Sequence, residues 1–185
     1  GLGFGGEMLV ASLVRENQVI IPRGDTRVLP GDQVFVVAAP SMLNKVNEMG
    51  GISNRSLDKV VIVGASRVSY FLAEKLEKTD TQVMMIEQDP ERCRQFASDL
   101  KSATILNGDG TDMAMLNEAG VGEADGFIAS SQDDETNILS TLLAKERGAK
   151  RVITIVRKPQ YMPLLEHIKP IDLAVNPRVA TINAI

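Results

Sequence analysis

From Lys59 onward, short uninterrupted apolar runs alternate with longer segments whose apolar residues recur every three or four positions. The runs are "KVVIV", "QVMMIE", "ATILNGD", "DGFIAS", "RVITIV" and "IDLAVN". Between them lie "SYFLAEKLEK", "PERCRQFASDL", "DMAMLNEAG", "ETNILSTLLAKERG" and "PQYMPLLEHI", with "ATINAI" after the last run. A run apolar at every position suits a strand covered on both faces, and the longer period suits a helix with one apolar face. The alternation predicts β-α-β-α repeated, which means a parallel sheet with helices on both sides. Pro90, Pro159 and Pro177 stand where helices could begin, and Gly148 stands where one should end. Right-handed crossovers then predict a doubly wound α/β sheet ordered 3-2-1-4-5-6. The final helix reads as cut short at Ile185, and the chain is expected to be incomplete at both ends.

The texture before Lys59 is different. "MLVASLV", "QVII" and "DQVFVVA" read as short strands, with "PRGD" and "LPGD" as the turns between them. "PSMLNKVNEM" reads as a short amphipathic helix, and the polar stretch "GGISNRSLD" reads as a linker. The expected organisation is a small, partly truncated α+β lobe over 1–50, a linker over 51–58 and the doubly wound domain over 59–185.

Composition narrows the chemistry. Over 185 residues, 44% are apolar and 24% charged, the balance of a soluble globular protein. A net charge of -4 gives no electrostatic reason to expect nucleic acid as a partner. No apolar run approaches the roughly 18–20 residues that cross a bilayer, and no leader pattern is visible. The chain has one cysteine, Cys93, and one histidine, His167. An internal disulfide is excluded, a reducing cytosol suits the composition, and a Cys/His metal site or a Cys–His nucleophilic pair lacks its members. Both residues are expected to be structural.

Two segments compete as a phosphate-binding glycine loop. "GLGFGG" satisfies G-x-G-x-x-G with Gly1, Gly3 and Gly6, but no strand precedes it and "EMLVASLV" after it reads as a strand. Such a loop works only between a buried strand and the N-terminus of a helix, where free N–H groups point at the anion. The formal match is therefore read as a decoy. "VVIVGASRVSYFLAEKLEK" fails the pattern at two glycines yet has the context: a strand, a turn at Gly64, and a helix from about Arg67 to Lys78. The next strand brings Glu87 to the position of a ribose-binding acid, which favours NAD or adenosine nucleotides over NADP. Ser66 and Ser69 stand where the second and third glycines belong. A Cβ at 66 should crowd a pyrophosphate, so a Rossmann-type lobe is expected, with either a retained nucleotide site or a bare scaffold. Arg67 either forks onto phosphate oxygens or is a solvated surface residue.

Two more segments fall at the carboxyl edge of the expected sheet. In "NGDGTD", Asp109 could accept from an adenine amino group with the Gly110 backbone close to the ring; the alternative is a turn with a cap at Thr111 or Asp112. In "SSQDDETN", the acids Asp133, Asp134 and Glu135 either cap a helix or attract a cation such as Ca²⁺. No catalytic elbow, Walker loop or zinc-protease helix appears, and no proton-transfer residue or substrate domain for a dehydrogenase is evident.

The run from "VVIVGASRVSYFLAEKLE" through "VMMIEQDPERC", "ATILNGDGTD" and "DDETNILSTLLAKERGAK" to "NPRVATINAI" resembles the nucleotide-binding lobe of RCK proteins, regulators of potassium conductance. Within that family it is most similar to the TrkA-type peripheral subunits of bacterial Trk potassium uptake. The stretch "MLVASLVRENQVIIPRGDTRVLPGDQVFVVA" resembles the small lobe that follows each such nucleotide lobe. The resemblance implies a non-enzymatic regulatory subunit that binds NAD(H) or ATP/ADP. It implies assembly as a homo-oligomer, dimer or tetrameric ring, with a membrane-embedded potassium transporter subunit, and a cytoplasmic place at the inner face of the bacterial membrane. It places Gly64, Ala65, Ser66, Arg67 and Val68 on the phosphate loop, Glu87 on the ribose, Asp109 and Gly110 on the adenine side, and Ser130 beside the pocket wall after the fourth strand. Ser66 and Ser69 depart from the family's glycines, so this lobe holds either a nucleotide or none. The alternatives are an RCK domain of a potassium channel or efflux system and a nucleotide-dependent oxidoreductase.

Overall fold

In the computed structural model, residues 8–15, 18–50, 57–165 and 167–177 are described. The chain divides into two units, Gly1–Arg55 and Ser56–Ile185. The glycines at 1, 3 and 6, most of the expected linker and the expected last helix beyond Pro177 lie outside the described residues.

The first unit contains β1 (Met8–Arg15), β2 (Gln18–Ile20), β3 (Gln33–Ala38) and α1 (Leu43–Met49), the helix entered through a 3₁₀ turn at Pro40–Met42. The strands are antiparallel in the order β2-β1-β3, with a register shift between Val10 and Ser12 of β1. Arg15 ties β1 to the turn that enters β3. Its Nε and Nη2 donate to the two carboxylate oxygens of Asp32, both at 2.7 Å, a bidentate fork. That fork, with the Leu29 N–H donating to Asp32 as well, holds the Asp32 carboxyl down at about 2.

The second unit contains β4 (Lys59–Val63), α2 (Arg67–Leu76), β5 (Gln82–Glu87), α3 (Pro90–Asp99), β6 (Thr104–Asn107), α4 (Met113–Glu118), β7 (Gly126–Ala129), α5 (Asp134–Glu146), β8 (Arg151–Ile155), α6 (Met162–Leu165) and β9 (Leu173–Val175). All six strands are parallel, in the order β6-β5-β4-β7-β8-β9. This is the 3-2-1-4-5-6 order that the sequence predicts, a doubly wound Rossmann-type sheet. Pro90 opens α3 and Pro159 opens a 3₁₀ turn, while Gly148 closes the α5 end at φ +105°. Expected and observed spans differ mainly at helix ends: α2 stops at Leu76, and "PQYMPLLEHI" folds as a 3₁₀ turn followed by one helical turn.

Strand β4 shows why the apolar runs are uninterrupted. Val61 and Val63 face one helix layer with Met84, Ile86, Phe127, Leu116 and Ala144. Val60 and Ile62 face the other with Met85, Ala73, Phe96 and Leu100. Each of the valine, leucine, isoleucine, methionine and phenylalanine side chains, taken from water, stabilises the fold by about 1.5–3 kcal/mol. A polar residue anywhere along β4 would therefore meet apolar packing on whichever side it faced.

Three carboxylates fasten the amino edge of this sheet. Asp125, just before β7, accepts from the N–H groups of Asp58 and Lys59 at 2.7 and 3.1 Å and from Lys150 Nζ at 2.6 Å. Glu77, after α2, accepts from Ser102 and Ala103 N–H at 2.5 and 2.9 Å, just before β6. Asp172 accepts from Val152 N–H at 2.7 Å and Lys145 Nζ at 2.8 Å. The Lys150 bond, reinforced by the two backbone donors, lowers the Asp125 carboxyl to about 2. Burial raises Glu77 and Asp172, but their donors outweigh it and both end below the ordinary range. No helix among the described residues is long and apolar enough to cross a membrane.

Candidate nucleotide-binding site

The opposite, carboxyl edge is built from turns that leave β4, β5, β6, β7 and β8. Gly64 ends β4 at φ +92°, and a Cβ there would collide with the Ser131 backbone. Both the backbone conformation and the close approach of the β7 turn require glycine. Its N–H donates to the Ile86 carbonyl at 2.8 Å, which keeps the turn tight against β5.

The two serines that break the glycine pattern bond one another. Ser66 is the N-cap of α2: its Oγ accepts from Ser69 N–H at 3.2 Å, and Ser69 Oγ accepts in return from Ser66 N–H at 3.4 Å. This is a capping box with serine in the place of the usual acid. Ser69 Oγ donates to the Gly64 carbonyl at 2.5 Å. Ser66 Oγ lies 2.7 Å from Ser130 Oγ, the residue after β7, which is buried. The hydroxyls thus satisfy one N-terminal N–H of α2 that a glycine loop would leave for an anion. The N–H groups of Arg67 and Val68 have no acceptor among the described residues, and they stand at the positive end of a ten-residue helix.

Glu87 ends β5 and is buried. Its Oε2 accepts from Ala65 N–H at 2.5 Å and its Oε1 from Asp89 N–H at 2.8 Å. The acid that the spacing assigned to a ribose therefore braces the turn after β4. Cys93 donates its thiol to the Glu87 carbonyl at 3.2 Å, and Asn107 Nδ2 donates to the same carbonyl at 3.0 Å. Burial pushes the Cys93 thiol up, away from thiolate chemistry, in keeping with a structural role.

Two adjacent clefts open along this edge. One of about 190 Å³ is lined by Gly64, Glu87, Asp109 and Gly110, among others. The other, about 640 Å³, is lined by Ala65, Ser66, Arg67, Val68 and Ser130 together with Ile155 and Arg157. All nine residues singled out from the sequence line one cleft or the other. Among the lining residues that sequence reading missed are Arg92 of α3 and Gln132 after β7, which border both clefts, and Arg157 after β8. Arginine at 92 and 157 had no motif to announce it, since nothing local says which turns share an edge.

The other segments singled out from the sequence each have a local role in the fold. The Cβ that Gly110 lacks would strike Val63 of β4, so close packing inside the fold already explains the glycine there. Asp109 is exposed and accepts from both the N–H and the hydroxyl of Thr111 at 2.8 Å, while Asp112 caps α4 by accepting from Ala114 N–H at 2.8 Å. Each acid of the run serves a separate partner, and the three are not gathered around one point. Asp133 caps α5 through Thr136 N–H at 2.7 Å. Asp134, buried, accepts from Arg157 and Lys158 N–H at 3.0 and 2.8 Å. Glu135 takes Lys158 Nζ at 2.7 Å and the Tyr161 hydroxyl at 2.6 Å, and these hold its carboxyl at about 2. Among the described residues no group of acids, histidines or cysteines could hold a metal ion. His167 lies past α6, donates Nδ1–H to the Pro163 carbonyl at 2.7 Å and borders neither cleft.

Asn137 of α5 fixes the far wall. Its Oδ1 accepts from Ser131 N–H at 2.7 Å, and its Nδ2 donates to the carbonyls of Ile155 at 2.9 Å and Ser131 at 3.2 Å. One fully buried amide thereby joins the turn after β7 to the end of β8.

Comparison with known proteins agrees with this architecture. The TrkA-N domain model matches residues 60–177 and the TrkA-C domain model matches residues 2–49. The chain is 35% identical over 178 residues to Trk system potassium uptake protein trkA homolog 1 of Methanosarcina mazei, covering 96% of this chain and 44% of that protein. It is 38% identical over 176 residues to Trk system potassium uptake protein TrkA of Halomonas elongata, covering 95% of this chain and 38% of that one. The chain thus spans about two-fifths of the length of these curated relatives. Among solved structures, the TrkA-N domain of the inner membrane protein ybaL from Escherichia coli superposes with TM-score 0.61 at 15% identity, covering 70% of this chain and 94% of that one. The GsuK channel bound to NAD superposes with TM-score 0.56 at 17% identity, covering 73% of this chain and 26% of that one.

Proposed function

The chain belongs to the TrkA-N family of potassium-transport proteins, and from that premise we propose that it is a nucleotide-sensing regulatory part of a Trk-type potassium uptake system. Residues 59–185 serve as the nucleotide-binding lobe and residues 1–50 as a small C-type lobe. The observation that carries the reading is that one edge of the sheet holds two complementary groups in adjacent clefts. The Glu87 carboxylate can accept from ribose hydroxyls, and the unsatisfied N–H groups of Arg67 and Val68 can receive a phosphate at the start of α2. Arg67 and Arg157 line the phosphate side and supply the charge.

The role is binding rather than turnover. A nucleotide that binds one arrangement of the assembly more tightly than another shifts the equilibrium between them, and a transporter seated on that assembly follows. The partner is a membrane-embedded potassium transporter subunit, the assembly a homo-oligomer, and the site of action the inner face of the membrane. A related fold with NAD bound supports an adenine nucleotide as the ligand. The serine-capped loop favours ATP or ADP over NAD(H): Ser66 crowds a pyrophosphate that must continue past the loop, whereas terminal phosphates are free to turn toward Arg67.

Calorimetry of the chain against ATP, ADP, NAD and NADH tests this. ATP or ADP should bind more tightly than NAD(H), and Arg67→Ala should weaken ATP more than NAD. Tight NAD binding that ignores Arg67→Ala would overturn the preference, and no binding of any of the four would reduce the lobe to a scaffold.

A further inference from the structure

Arg92 stands where the two clefts meet, bordering the smaller with Glu87 and the larger with Arg67 and Arg157. It reaches from the first turn of α3 across the carboxyl edge to the turn after β7. There the Gln132 side-chain oxygen, with its amide oriented to match the donors, accepts from Arg92 Nη2 at 2.6 Å and Nη1 at 3.0 Å. The contact spans the edge on which β4 ends, because α3 follows β5 on one side of β4 and Gln132 follows β7 on the other. A ligand with its ribose at Glu87 and a phosphate at the N–H groups of Arg67 and Val68 must pass this bridge. The nearest carboxylate on the same helix end, Asp89, lies 3.8 Å from Arg92 Nε across an exposed gap, too loose a pair to hold the guanidinium elsewhere.

A neutral amide oxygen is a weak acceptor for a guanidinium, and a phosphate is a strong one that matches both N–H donors of the fork. Exchanging Gln132 for a phosphate oxygen therefore releases a modest hydrogen bond and forms a charge-assisted one. We propose that Arg92 is a phosphate-reading, specificity-determining residue, and that Gln132 is the stand-in acceptor that holds its fork across the cleft until a phosphate displaces it. The ligands selected are nucleotides carrying at least two phosphates, one for the α2 N-terminus and one for the guanidinium. The inference rests on the nucleotide reading above and adds to it a residue, a competitor and a rule for phosphate number.

The test is calorimetry of the whole chain with ADP and AMP, with ligand-free thermal melts as the control for folding. Arg92→Ala should weaken ADP by about tenfold or more and AMP much less, the scale of a charge-assisted hydrogen bond. Gln132→Ala should strengthen ADP by about threefold, because it removes the competitor. The same Gln132→Ala change placed on Arg92→Ala should leave ADP affinity where Arg92→Ala alone put it, and Arg92→Lys should restore part of what alanine lost. If the chain binds ADP but Arg92→Ala leaves ADP affinity unchanged, Arg92 does not read phosphate. If Gln132→Ala weakens ADP, the glutamine is a ligand contact rather than a stand-in. If the unaltered chain binds neither ADP nor NAD, the nucleotide reading fails, and this proposal with it.

Discussion

The hydroxyls of Ser66 and Ser130 lie 2.7 Å apart and join the turn after β4 to the turn after β7. Ser66 is at once the cap of α2, the partner of Ser69 and this cross-strand link. A glycine at 66 would open the turn after β4 and undo all three roles.

Ser66→Gly should therefore act in opposite directions on folding and on binding. Loss of the cap and of the hydroxyl contacts should cost about 0.5–1.5 kcal/mol of stability in a urea melt. Removing the Cβ and freeing the Ser69 N–H should strengthen NAD by roughly 1–2 kcal/mol in calorimetry. A variant with an unchanged melt and weaker NAD binding would contradict the role assigned to this serine.

Glu87→Ala should loosen the loop before any ligand is added. The Ala65 and Asp89 N–H groups both lose their acceptor, and the change should cost about 1–3 kcal/mol of stability. The decisive measurement is amide exchange at Ala65, which should become much faster. Nucleotide affinity should fall by roughly 1–3 kcal/mol as well. Unaltered affinity in a folded variant would place the ribose elsewhere.

Asn137→Ala removes one buried amide and leaves one N–H and two carbonyls without it. The expected loss is about 2–4 kcal/mol by denaturant melt, above the effect of a typical surface change. A loss under about 0.5 kcal/mol would mean that the turns after β7 and β8 hold themselves without Asn137.

Acid should undo the amino edge of the sheet. The folded Asp125 carboxyl sits at about 2, and Glu77 and Asp172 are also lowered. A carboxylate lowered by folding contributes stability in full above its unfolded value near 4, and that contribution fades as pH falls toward the folded value. Asp125→Asn should accordingly lower the melting temperature near neutral pH, and the gap from the unaltered chain should narrow between about pH 4 and pH 2. A gap that stayed constant down to pH 2 would show that the ionised carboxylate is not what Lys150, Asp58 and Lys59 depend on.

Much of the architecture was legible because burial on both faces leaves a plain mark. Val60 to Val63 must all be apolar in a sheet covered on both sides, and the crossover rule then orders the strands. Glu87 was legible because a strand, a turn and a helix of ordinary length fix how far it lies from Gly64. Arg92, Gln132 and Arg157 were not, because they belong to different turns and meet only after the sheet has set its strand order. The acidic run was legible only in part, for a related reason. Sequence shows three acids in a row, whereas the fold hands Asp133 to a helix cap, Asp134 to two backbone N–H groups and Glu135 to Lys158 and Tyr161. Gly110 likewise signals a close approach, and the approach proves to be that of Val63.

The two rims of the sheet carry different obligations. Asp125, Glu77 and Asp172 anchor strand starts at one rim, while the serine and arginine chemistry gathers at the other. Residues at the second rim can therefore change while the first rim keeps the lobe folded. The same partition is a practical handle. On the proposed function, changes at Ser66, Arg92 and Gln132 would alter nucleotide preference without touching the carboxylates that fasten the far end of the strands.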